Sequence, residues 1–207
     1  QEGLMGEARI KYIGAYDIFS NYYFEINKNN SLAGQAVTQN NLGLIEQGLN
    51  NFANALEHFQ QGLEARRELG KPLDLAHSYL SIGRLYLEWG KLDSSVEYFN
   101  RADSISLIYK SPDDEQSGSQ GWEEEINPQL SLRYAGKSQE YRGELQMRLG
   151  QPAKAFIYYK RAQEYYKSWP MDYIQLMALT AESFMPLNEP DSALWYLQKG
   201  LMKAAGQ

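Results

Sequence analysis

The 207-residue chain contains no cysteine and only two histidines. Without thiols it can form no disulfide, no thiolate nucleophile and no metal site built on sulfur. His58 and His77 are joined by no HExxH or other ligand spacing, which leaves them structural or surface roles. Basic residues are also short. Twenty Lys and Arg against 26 Asp and Glu give a net charge of −6, and a general nucleic-acid binder needs a clustered basic surface to meet phosphates. No run of about 18 apolar residues occurs, so no membrane-spanning helix is expected, and the opening QEGLMGEARIKYIG lacks the apolar core of a signal peptide. A start at Gln1 rather than Met reads as a processed or excised segment whose targeting elements lie elsewhere.

Phosphate loops are missing too. GQAVTQNNLG has neither the P-loop lysine nor the dinucleotide-binding glycine spacing, and the acidic run DDE lacks the alternation and glycine of a calcium loop. Carboxylates are plentiful, but on helices they form the solvated face more often than an active-site pair. These gaps lead us to expect no cofactor, no metal and no catalysis.

What is present is repetition. Hydrophobic residues make up 43% of the chain and charged residues 22%, so it should fold, and small residues recur at fixed offsets within it. From Gly43 the offsets to Ala55, Phe59 and Gly62 are 12, 16 and 19. The same offsets join Gly83 to Ser95, Phe99 and Ala102, Gly143 to Ala155, Tyr159 and Ala162, and, more weakly, Ala181 to Ala193, Leu197 and Gly200. Each unit divides into two helices at Asn50-Asn51, Gly90-Lys91, Gly150-Gln151 or Asn188-Glu189. Gly90 and Gly150 suit a helix end, and Pro152 and Pro190 a helix start. The expected packing sets Gly43, Gly83, Gly143 and Ala181 against Ala55, Ser95, Ala155 and Ala193, with Phe59, Phe99, Tyr159 and Leu197 filling the groove toward the next pair.

The pattern resembles the tetratricopeptide repeat, which has a small residue in the middle of its first helix, an aromatic three residues on, and Ala, an aromatic and Ala along its second. The chain departs from it at Glu46 and Gln146, which stand where the aromatic should be, and in the 40-residue interval from Gly43 to Gly83. The resemblance implies an all-α, right-handed superhelical solenoid of antiparallel helix pairs, about nine helices in one domain over 1–207, with units at 31–70, 73–110, 128–168 and 171–204. The long interval is similar to the helical-repeat regions of bacterial sensor kinases and regulators. It implies an input or assembly module that binds a protein, a peptide or domains of the same longer chain, with an extracytoplasmic address favoured over a cytoplasmic one.

Two segments fall outside the repeats. Residues 4–27 carry Leu4, Ala8, Tyr12, Ala15, Phe19, Tyr22, Tyr23 and Ile26 at helical spacing, which predicts one long amphipathic lead helix. It aligns with the second helix of an earlier unit and joins the first full one through the connector NKNNS. The interval from Gly83 to Gly143 is 60 residues, which places an acidic insertion at 111–127, with Trp122 as a possible hydrophobic anchor for a contact loop.

In stacked helix pairs the first helices line the concave surface. The candidate partner-binding residues are therefore Asn40, Leu44 and Gln47; His77, Leu80, Arg84 and Glu88; Lys137, Glu140, Glu144 and Arg148; and Gln175, Ala178 and Glu182. Interleaved charges disfavour a purely anionic tail of the kind that tetratricopeptide co-chaperones clamp. The second reading is an extracytoplasmic small-ligand or glycan receptor, which a deep aromatic pocket would distinguish.

Overall fold

The computed structural model describes residues 2–23, 28–106 and 128–206, which contain nine α-helices and no strand. The acidic insertion and Trp122 lie outside the described residues. The chain divides into two compact units, Gln1–Arg101 and Ala102–Gln207, with the boundary inside one helix.

In the first unit α1 spans Glu2–Asp17 and continues as a π-helical turn, Ile18–Tyr23. Then follow α2 (Lys28–Gly48), α3 (Phe52–Leu69), α4 (Pro72–Glu88) and the greater part of α5 (Leu92–Ser106). The second unit holds the end of α5, then α6 (Pro128–Arg148), α7 (Pro152–Tyr165) with a closing 3-10 turn, α8 (Pro170–Phe184) and α9 (Pro190–Ala204).

The turn inside each helix pair is one repeated device. Asn50, Gly90, Gly150 and Asn188 all adopt positive φ, at 62°, 80°, 68° and 57°. In each case the next amide reaches back five residues to a carbonyl: Asn51 to Glu46, Lys91 to Tyr86, Gln151 to Gln146 and Glu189 to Phe184, at 2.8 to 3.2 Å. This is the Schellman closure, which satisfies carbonyls left over at a helix end and favours Gly or Asn in the left-handed position.

The atoms nearest to Gly43, Gly83 and Gly143 belong to aromatic rings. A methyl group on Gly43 would lie 2.6 Å from the Phe59 ring, one on Gly83 2.6 Å from Phe99, and one on Gly143 2.2 Å from Tyr159. The aromatic at offset 16 therefore seats on the glycine of its own pair, where an added carbon would overlap it. Leu197 departs from this pattern, since it is exposed while its neighbour Tyr196 is buried and stacks on Phe184.

Two expectations about the lead segment are corrected. The predicted connector is helical from Lys28 onward, and Leu4, placed on the apolar stripe, is 75% exposed. The segment is held by different means. A methyl on Gly34 of α2 would overlap the Phe19 ring, the Ser31 hydroxyl donates to the Phe19 carbonyl, and Arg9 pairs with Glu46 at 2.8 Å. Glu46 replaces the usual aromatic and is fully buried. It is tolerated there because Arg9 neutralises it and the Asn51 side-chain amide donates to it at 2.9 Å.

Candidate functional site

The predicted site residues separate into two groups by burial. In the first unit Asn40, Gln47 and Leu80 are buried, Arg84, Glu88 and His77 are half-buried, and Leu44 is 50% exposed. The buried polar ones join the first helices of neighbouring pairs. Gln47 donates to Glu88 at 2.6 Å, and Ser81 donates to Asn40 at 3.3 Å. Glu88 also accepts from Arg84 at 3.2 Å, so the α2–α4 seam ends in a fixed polar cluster one helical turn from the exposed side chain of Leu44. Charge-assisted bonds of this kind hold side chains in one geometry before any partner arrives.

In the second unit Glu140 is buried and serves an internal network instead of a surface. It accepts from Lys137 at 3.1 Å and from the Tyr166 hydroxyl at 2.7 Å. Lys137 also reaches Asp172 at 3.2 Å, and Arg133 donates to Asp172 at 2.7 Å while its guanidinium lies over the Trp169 ring. Two acids and two bases thus tie the first helices α6 and α8 together. Burial alone would push the Asp172 carboxyl up, but its bonds to Arg133 and Lys137 outweigh this and hold it below the usual carboxylate range. Burial and the neighbouring Glu140 carboxylate push the Tyr166 phenol well above its ordinary value. Asp172, Arg133 and Tyr166 were missed by sequence reasoning. The only available signal was the 39-residue step from Arg133 to Asp172, close to the repeat interval.

The remaining candidates face outward. Glu144 is half-buried and Arg148 exposed on α6, and Gln175, Ala178 and Glu182 are all exposed on α8. Met171 and Met185, exposed at 78% and 65%, extend that α8 stripe at both ends at helical spacing and were also missed.

In the first unit Phe52 and Trp89 border an open space of about 320 Å³ together with Asn50, Asn51 and Asn54. Trp89 stacks with Phe52 and Tyr86, and the Lys91 ammonium lies 3.4 Å from its ring centre. Among the described residues no cluster of three His, Asp or Glu could hold a metal ion, and no helix is long and apolar enough to cross a membrane.

Residues 34–104, which span most of α2 to α5, match a family model described as a tetratricopeptide repeat. Over this stretch the chain is similar to the tetratricopeptide repeat. A comparison with curated proteins found no match for the sequence. Among solved structures, the crystal structure of MamA is 14% identical with a TM-score of 0.55, the alignment covering 98% of this chain and 95% of that one. The apo form of the quorum sensor NprR from B. thuringiensis is 15% identical with a TM-score of 0.61, over 95% of this chain and 55% of that one. At these identities the likeness is one of fold. The second unit, beyond the matched residues, repeats the same helix pairs and the same turn closures, so the tetratricopeptide-like fold extends over α6 to α9.

Proposed function

We propose that this chain is a non-catalytic scaffold that binds a polypeptide through the outward faces of its first helices, as the input or assembly module of a larger bacterial regulatory protein. The observation that carries the reading is the prearranged polar seam of the first unit, where Gln47, Glu88 and Arg84 are fixed to one another one helical turn from exposed Leu44. A surface that mixes fixed charge with exposed apolar groups suits a polypeptide, because charge sets orientation and partner choice while apolar contact supplies affinity. In the second unit the Met171, Gln175, Glu182 and Met185 stripe has the same mixed character. Methionine side chains adapt to varied partners. The regulatory assignment draws support, by analogy of fold only, from the quorum sensor that shares it.

The test is a pull-down from the native host with wild type, Arg84→Glu, Arg148→Glu and the double reversal. Reversal of exposed Arg148 should change the melting temperature little, and loss of the half-buried Arg84–Glu88 pair should cost about 1 kcal/mol, while recovery of the specific partner falls by about tenfold or more. Equal recovery by all four proteins would move the binding surface away from the first helices.

A further inference from the structure

The second unit carries one cationic cleft on an acidic protein. Lys167, in the 3-10 turn after α7, Tyr173 on α8, and Lys199, Met202 and Lys203 on α9 line a space of about 400 Å³, within the size range of small-molecule and peptide side-chain sites. The lysines are not equivalent. Lys167 is already paired with Glu164 at 2.8 Å. Among the described residues Lys199 and Lys203 form no ion pair. Instead the Lys199 ammonium lies between two rings, 5.8 Å from the centre of Tyr173 and 5.0 Å from that of Trp195.

This arrangement fixes a lysine without neutralising it. Cation–π contact with two rings reduces the freedom of a flexible stem, yet leaves the ammonium hydrogens for an anion. Glu164 compensates Lys167, whereas Lys199 and Lys203 border the same space as like charges, so an anion placed between these two relieves their repulsion. Glu164, which feels Lys167, Lys160 and Lys199 and is held below the usual carboxylate range mainly by its bond to Lys167, is exposed and lies at the rim.

We infer that this cleft binds an acidic peptide segment in which carboxylates flank an apolar side chain, the carboxylates meeting Lys199 and Lys203 and the apolar group resting on Met202 and Tyr173. The inference rests on the polypeptide-binding reading above but concerns a different surface, formed by α9, the start of α8 and the turn after α7. Lysines spaced along a cleft act as separate point charges and suit separate carboxylates, whereas a compact phosphate is gripped best by bidentate arginine. Exposed Met202 supplies the adaptable apolar contact.

The experiment is fluorescence anisotropy with a fluorescein-labelled peptide built around Asp-Leu-Asp, at roughly 0.05 M salt, where the Debye length exceeds 10 Å. The wild-type chain should bind it saturably and bind the Asn-Leu-Asn control at least tenfold more weakly. Lys199→Gln with Lys203→Gln should lower affinity by about tenfold with an unchanged melting temperature, and the Lys→Arg pair should retain most of it. Tyr173→Ala should weaken binding even though every charge remains. Equal affinity of the wild type and the Lys→Gln pair would overturn the inference. Full displacement by inorganic phosphate at an equal concentration would also overturn it, since the cleft would then be a general anion site. If the peptide instead responds only to Arg84→Glu or Arg148→Glu, the cleft assignment fails and the scaffold reading stands. Absence of peptide binding with intact capture of the native partner overturns the cleft assignment in the same way.

Discussion

At the scale of single residues, the fold depends on small side chains placed under rings. Gly83 has no room for a side chain because the Phe99 ring occupies the position its Cβ would take, with Tyr98 close behind. Gly83→Leu should destabilise the protein by about 2–3 kcal/mol, the usual cost of forcing extra carbons into a packed core, and a thermal melt reads it. An unchanged midpoint would place Gly83 outside the interface. The buried charges give a second prediction. The folded state holds the Asp172 carboxyl below its usual value, so the proton binds more tightly to the unfolded chain. The stability this contributes is complete above the ordinary aspartate range near pH 4 and is lost as pH falls through the depressed folded value. Asp172→Asn should flatten the acid limb of the stability curve below about pH 4. An acid limb identical to that of the wild type would mean that Asp172 is not tied to Arg133 and Lys137 in solution.

At the scale of elements, the turns do as much as the helices to define the repeat. Gly90 closes α4 at φ 80°, a conformation that costs an L-residue with a Cβ about 1–2 kcal/mol, so Gly90→Ala should lower stability by that amount in a denaturant titration. Gly90→Asn should cost less, because Asn50 and Asn188 hold the same position in their own turns. The division into helix pairs was legible in the sequence because the same steric demand recurs seven residues after Gly43, Gly83, Gly143 and Ala181. The lead helix was legible only in part. Its three-and-four spacing predicts a helix, but spacing cannot tell that Leu4, Ile10 and Ile18 are exposed, nor that Arg9 reaches Glu46. Those facts depend on which helix lies alongside, and a polar residue in an aromatic's place gives no local hint of its partner.

At the scale of the whole molecule, each unit uses the first helices of its pairs in two ways. One side is bonded to the neighbouring first helix, through Gln47–Glu88 in the first unit and Arg133–Asp172 in the second, and the other side faces outward. Repeat alignment in the sequence names this face, because equivalent positions in stacked pairs share an environment. It does not separate the residues that stitch the helices together from those left exposed. Glu140 and Glu144, one turn apart, differ because Tyr166 and Lys137 close over the first, and the Tyr166 contact joins residues 26 positions apart in the chain. The central claim, that a polypeptide is received on the first helices, is tested most directly by hydrogen–deuterium exchange on the chain with and without its captured native partner. The account predicts slowed exchange in α2 and α4, or in α6 and α8, with α3 and α7 unchanged. Protection confined to the second helices, with α2, α4, α6 and α8 exchanging as in the free chain, would contradict it.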